Sequence, residues 1–89
     1  MLDYGTADGV QWLSDPGIVQ FIVHDDGQPI FCRVSRKCLE DNCGRPATAA
    51  ALLDAAKQNF AHITDRVGRL IRLGRFEPDG TILLRSSDW

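Results

Sequence analysis

Apolar and polar residues alternate with a period of two between Ile18 and His24, where Val19, Phe21 and Val23 stand against Gln20 and His24. The same alternation returns at Ile30, Cys32 and Val34. Successive side chains of a strand point to opposite faces, so each run predicts a strand with one buried face. Between them Asp25-Asp26-Gly27-Gln28 reads as a tight turn, with Gly27 supplying the positive φ that a hairpin loop requires. The two strands are therefore expected to form an antiparallel hairpin.

The period then lengthens. From Thr48 to Gly74 small or apolar residues recur in sevens, at Ala49, Leu53, Ala56, Phe60, Ile63, Val67, Leu70 and Gly74. That spacing draws one apolar stripe along a helix. A straight helix of this length would measure roughly 40 Å, whereas a domain of this chain length should be about 30 Å across. The helix must bend, break or protrude. Gly68 lies within it, at a cost of about 1 kcal/mol relative to Ala, and a kink at Gly68 is the simplest reconciliation. Ahead of this helix, Ser35 is placed as the N-cap of a short helix from Arg36 to Asn42 or Cys43, with Gly44 ending it. Arg45-Pro46 breaks the chain, and the long helix begins near Ala47 or Thr48. Pro78-Asp79-Gly80 is a turn, and Thr81 to Arg85 reads as a last strand. Residues 1–17 hold few apolar anchors (Tyr4, Val10, Trp12, Leu13) and close on Ser14-Asp15-Pro16-Gly17, so they are expected to be a poorly structured lead-in.

The predicted fold is α+β, in the order ββααβ. An antiparallel sheet of about three strands, the hairpin plus the C-terminal strand, is covered by one short and one long helix. With 89 residues, 44% hydrophobic and 25% charged, the chain fits a single domain over residues 1–89 that buries somewhat over half of its unfolded surface. The formal charge of -2 gives no electrostatic reason to expect nucleic acid or an anionic membrane as partner. The charge is unevenly spread, however. Residues 1–44 carry seven acids and three bases, and residues 45–89 carry five acids and seven bases. No basic run followed by an apolar stretch opens the chain, so a cytosolic location is expected. Three cysteines at irregular spacing argue against a disulfide framework and for reduced thiols.

A set of scattered positions carries a family resemblance: Trp12, Val19, Phe21, Gly27 and Cys32-Arg33-Val34-Ser35, then Leu39-Glu40-Asp41, Leu52-Leu53, Asn59 and Ile63, and finally Glu77-Pro78-Asp79-Gly80 with Ile82 and Asp88. In these the chain resembles the small bacterial family "domain of unknown function 1488", from Trp12 to Asp88. It departs at Phe60, which stands beside Asn59 where the family pattern has an arginine. The resemblance implies this α+β fold; the family has no assigned activity, so function stays open.

Candidate chemistry is sparse. Cys32, Cys38 and Cys43 with His24 or His62 lack the paired short spacings of a zinc site, and buried reduced thiols explain them better. Cys38, His62 and Asp65 are residue types of a nucleophilic set, but no glycine-rich loop or flanking motif supports it. No catalytic residue, metal ligand or cofactor site is assigned. Arg66, Arg69, Arg72 and Arg75 recur every third residue and, with Arg85, form a basic strip suited to phosphates. Arg69 follows Asp65 by four, which predicts an ion pair and a self-neutralised face instead. Ile71 and Leu73 flank the apolar stripe near its end and widen it where the helix should overhang. The terminal Trp89 is expected either to fray or to cover the edge strand.

The expected function is thus that of a small non-enzymatic interaction or accessory module. Its contact surface is Val67, Leu70, Ile71 and Leu73, and its partner is another protein or a second copy. The alternative is a regulator touching nucleic acid through Arg66, Arg69, Arg72 and Arg75. An enzyme comes third, and no membrane association is expected.

Overall fold

The structure, a computed structural model, describes residues 1–15, 17–44 and 48–89. The expected break at Arg45-Pro46, the helix start near Ala47 and Pro16 in the first turn lie outside the described residues. The predicted hairpin is present as β3 (Ile18–Asp25) and β4 (Gln28–Val34), paired antiparallel with Phe21 opposite Cys32 and Ile22 opposite Phe31. Its two-residue loop places Asp26 at φ 50° and Gly27 at φ 86°. Both values lie in the left-handed region, the conformation whose twist matches the flanking strands.

Ser35 caps α1 (Arg36–Asn42) as expected, its hydroxyl accepting from the Cys38 amide at 3.0 Å. The long helix does not form as one piece. It is divided into α2 (Ala49–Gln58) and α3 (Phe60–Arg72), and the division falls at Asn59, not at Gly68. The Asn59 side chain donates to the Ala55 carbonyl at 2.8 Å, beside its own backbone N–H, and its ψ of 17° turns the chain out of α2. Asparagine competes with the helix by such local bonding, so it ends one helix and opens the next. Two helices of about 15 and 20 Å fit inside a molecule of 36 × 25 × 24 Å without overhang.

Gly68 has another use. A Cβ there would collide with the hydroxyl of Tyr4 and stand 3.2 Å from its ring carbon Cζ. The glycine lets Tyr4 lie directly on α3, which ties the N-terminal segment down. That segment, expected as a poorly structured lead-in, supplies β1 (Leu2–Asp3), a 3₁₀ turn at Ala7–Gly9 and β2 (Gln11–Leu13). Both short strands pair antiparallel with β3, Asp3 opposite His24 and Trp12 opposite Val19.

The last strand, β5 (Ile82–Leu84), lies beside β4 and runs parallel to it, with Arg33 opposite Leu83. Among the described residues the sheet therefore has five strands and is mixed, where about three antiparallel strands were expected. Helices α1, α2 and α3 lie between β4 and β5 in the chain, and a crossover of that length returns the chain to the end of the sheet it left, as a parallel neighbour must be reached. The helices cover one face of the sheet. Val19, Phe21, Val23, Cys32, Val34, Ile82 and Leu84 form that buried face against Leu39, Leu52, Ile63 and Val67. Phe60 meets Phe21 edge-on at 5.5 Å between centroids, which pins the start of α3 to the sheet. The opposite face carries Ile18, Gln20, Ile22, Phe31, Arg33 and Leu83, none of them fully buried. No helix among the described residues is long and apolar enough to cross a membrane.

Candidate functional site

The end of α3 is shaped by its glycine. Gly74 adopts φ 70°, the Arg75 amide donates to the Leu70 carbonyl at 2.9 Å, and the Gly74 amide donates to the Ile71 carbonyl at 3.0 Å. This pair of bonds is the Schellman closure of a helix, open to glycine because it lacks a Cβ. Beyond the closure Leu73 borders one hollow and Phe76 another, and Leu70 and Arg75 border both. Leu73 is 61% exposed and Phe76 43%.

The four expected contact residues separate here. Val67 is 0% exposed and Leu70 8%, so both belong to the core that joins α3 to the sheet. Ile71 is half-buried against that core, and only Leu73 stands free. The stripe faces inward because α3 lays Ile63, Val67 and Leu70 into the core. Phe76, beyond the helix and outside its period, was not found by the pattern.

The arginine strip also divides. Steps of three residues fall short of a full turn of 3.6 and walk around the helix. Arg66, Arg69 and Arg75 border one shallow hollow of about 180 Å³ with Leu70, Leu73 and Asp88. Arg72 borders a different one with Tyr4 and Asp65. Arg66 lies over the Trp89 ring, 5.1 Å from its centroid, and also contacts Asp65 at 3.3 Å. Trp89 thus does not stand free but packs on α3 through Arg66 and His62 and against the core. Since Asp65 turns to Arg66, the expected Asp65 to Arg69 pair is not made. Among the described residues Arg69, Arg72 and Arg75 make no ion pair. Arg85 is held by Glu77 at 2.6 Å, and Asp88 accepts from the Arg85 amide at 3.1 Å.

The thiols and histidines do not assemble. Cys38 is buried with its sulfur 3.9 Å from the Asn42 amide, His62 packs on Trp89, and Asp65 pairs with Arg66. Among the described residues no group of three or more His, Cys, Asp or Glu side chains is placed to hold a metal ion. Burial pushes the Cys32 thiol up from 9.0 to about 12. Burial likewise pushes Cys38 up to about 11, outweighing the Asn42 hydrogen bond that favours its thiolate. Neither is a nucleophile at neutral pH. A thiol reagent at about pH 8 is expected to modify Cys43 alone in the native protein, slowly, because burial also raises its pKa. Cys32 and Cys38 should react only on unfolding, which mass spectrometry of the labelled chain would resolve. The same protons link folding to pH. The folded state holds them more tightly than the unfolded chain, so their contribution is complete below pH 9.0 and is lost as pH rises toward about 12.

Fold and surface together define a small mixed-sheet α+β protein whose distinctive feature is an open apolar and basic patch at a helix end. The chain belongs to the family described as "Protein of unknown function (DUF1488)", whose model matches residues 7–84. No curated protein matches the chain. A crystal structure of a protein of unknown function from the same family, from Shewanella loihica PV-4, is similar in fold, with a TM-score of 0.75 over 84% of each chain at 17% identity.

Proposed function

We propose that this protein is a non-enzymatic cytoplasmic interaction module that binds an acidic segment of another protein at the end of α3. The observation that supports the reading best is the conjunction of Leu73 and Phe76, both exposed, with Arg69 and Arg75, which have no ion pair among the described residues. An apolar side chain in water beside an uncompensated guanidinium favours a partner that brings both an apolar anchor and a carboxylate. The occupant that fits is therefore a protein segment carrying a hydrophobic residue flanked by Asp or Glu. Arg66, held on Trp89 and paired with Asp65, borders the same hollow.

Capture on the tagged protein from a bacterial lysate, with retained protein and nucleic acid both quantified, tests this. A retained protein should survive high salt in part, because an apolar anchor is not screened. It should be lost on Leu73→Asp, and Arg69→Gln with Arg75→Gln should weaken it about 2- to 30-fold, as two exposed charge pairs imply. Retained protein indifferent to Leu73→Asp would refute the surface. The basic strip supports one second reading, contact with nucleic acid through Arg66, Arg69 and Arg75, with Arg72 bordering the neighbouring hollow. Retention of nucleic acid that falls steeply with salt would favour it.

A further inference from the structure

The face of the sheet turned away from the helices combines a projection with a hollow. Ile22 and Phe31 sit opposite each other on β3 and β4, 39% and 43% exposed. Asp25 and Gln28 close the two-residue loop as a hydrogen-bonded pair, and pairs alternate from there, so Ile22 and Phe31 form a non-hydrogen-bonded pair whose side chains stand close. They make one apolar knob. Beside it lies a hollow of about 450 Å³, floored by Ile18, Leu83 and Pro78 and edged by Arg33, Glu77 and Asp79. Phe31 does not line it.

We propose that this face pairs with the same face of a second copy, the Phe31 ring of each chain entering the hollow of the other. A two-fold interface must be self-complementary, and a knob adjacent to a hole on one face meets that condition when the axis passes between them. The rim charges agree. Arg33 donates to Gln20 at 3.0 Å, while Asp79 is fixed by the Thr81 amide and hydroxyl at 3.0 and 2.7 Å. Each copy thus presents a positive and a negative group, and Arg33 of one can face Asp79 of the other. The size sets the strength. A β3 of eight residues spans about 26 Å, and four strands side by side span roughly 17 Å. Two such faces bury about 900 Å², under the range of stable complexes at about 1,200 Å² and above. The dimer is therefore weak and reversible, with a micromolar or weaker dissociation constant.

Sedimentation equilibrium of the full chain from about 10 µM to about 1 mM tests this. The mean mass should rise from 9.9 kDa toward twice that value. Phe31→Asp and Ile22→Lys, each at an exposed position, should stay monomeric throughout with an unchanged circular dichroism spectrum. Leu73→Asp, at the other surface, should dimerise like the parent chain. A parent chain that stays monomeric at every concentration overturns the proposal. So does a folded Phe31→Asp or Ile22→Lys that still dimerises, and so does a monomeric parent whose open face retains a different protein. If one variant fails to fold, the other decides.

Discussion

Val67→Asp is expected to leave the chain without a cooperative unfolding transition. Val67 is fully buried where α3 meets the sheet, among Phe21, Ile63 and Ile82 in one continuous core. Among the described residues the core holds no buried polar or charged residue that could receive a carboxylate. An unpaired buried charge costs several kcal/mol even after relaxation, against a total stability of about 5–15 kcal/mol for a domain and less for a short one. Leu73→Asp, six residues on, should shift stability by no more than about 0.5 kcal/mol because its side chain is in water. Thermal unfolding followed by circular dichroism separates the two. A folded V67D would show that α3 is not seated as described, and would return Val67 to the set of contact residues.

Ile82→Ala should cost about 2–5 kcal/mol, through lost burial and the cavity left behind. Ile82 is fully buried opposite Cys32, whereas Leu83 on the same strand faces outward beside Arg33. Leu83→Ala should therefore cost less than about 1 kcal/mol. In a domain of this size each kcal/mol moves the midpoint by about 4–8 °C, so I82A should melt at least about 8 °C lower. Equal losses at the two positions would mean that β5 does not pair in the parallel register with Arg33 opposite Leu83. The comparison is informative because a strand slipped by one residue exchanges its faces.

What was legible in the sequence was local. The alternation at Val19, Phe21 and Val23, the Asp26-Gly27 turn and the Ser35 cap all depend on neighbours a few residues away, and they stand as expected. The apolar stripe was legible too, but it runs unbroken through Asn59, whose side chain turns back to Ala55 and divides the helix. Periodicity registers which side chains are apolar and is blind to where the backbone stops. The remaining departures are long-range. Whether β5 runs with or against β4 depends on the path through three helices and not on Ile82 to Leu84 themselves. β1 and β2 are two and three residues long, too short for alternation to show. Gly68 reads as a flaw in a helix until Tyr4, at the other end of the chain, is found lying on it.

The surface at the end of α3 was partly legible for the same reason. Leu73 and the arginines were visible as residue types. Their grouping was not, because Asp65 turns to Arg66 instead of Arg69, and the Gly74 closure carries Phe76 to a neighbouring hollow that Arg75 also borders. Val67 and Leu70 were drawn into the expected surface by the stripe that in fact buries them. The result is a smaller patch than the pattern suggested, more basic and centred one turn later.

Site-specific photocrosslinking in living cells tests that patch most directly. The chain would carry Leu73→benzoylphenylalanine, with a second version carrying the same group at Ile22. Irradiation should join position 73 to a protein whose crosslinked segment is acidic, and Arg69→Gln with Arg75→Gln should weaken the product. Position 22 should yield the dimer of the chain itself. Nucleic acid as the product at position 73, or a protein product indifferent to both arginines, would contradict the account.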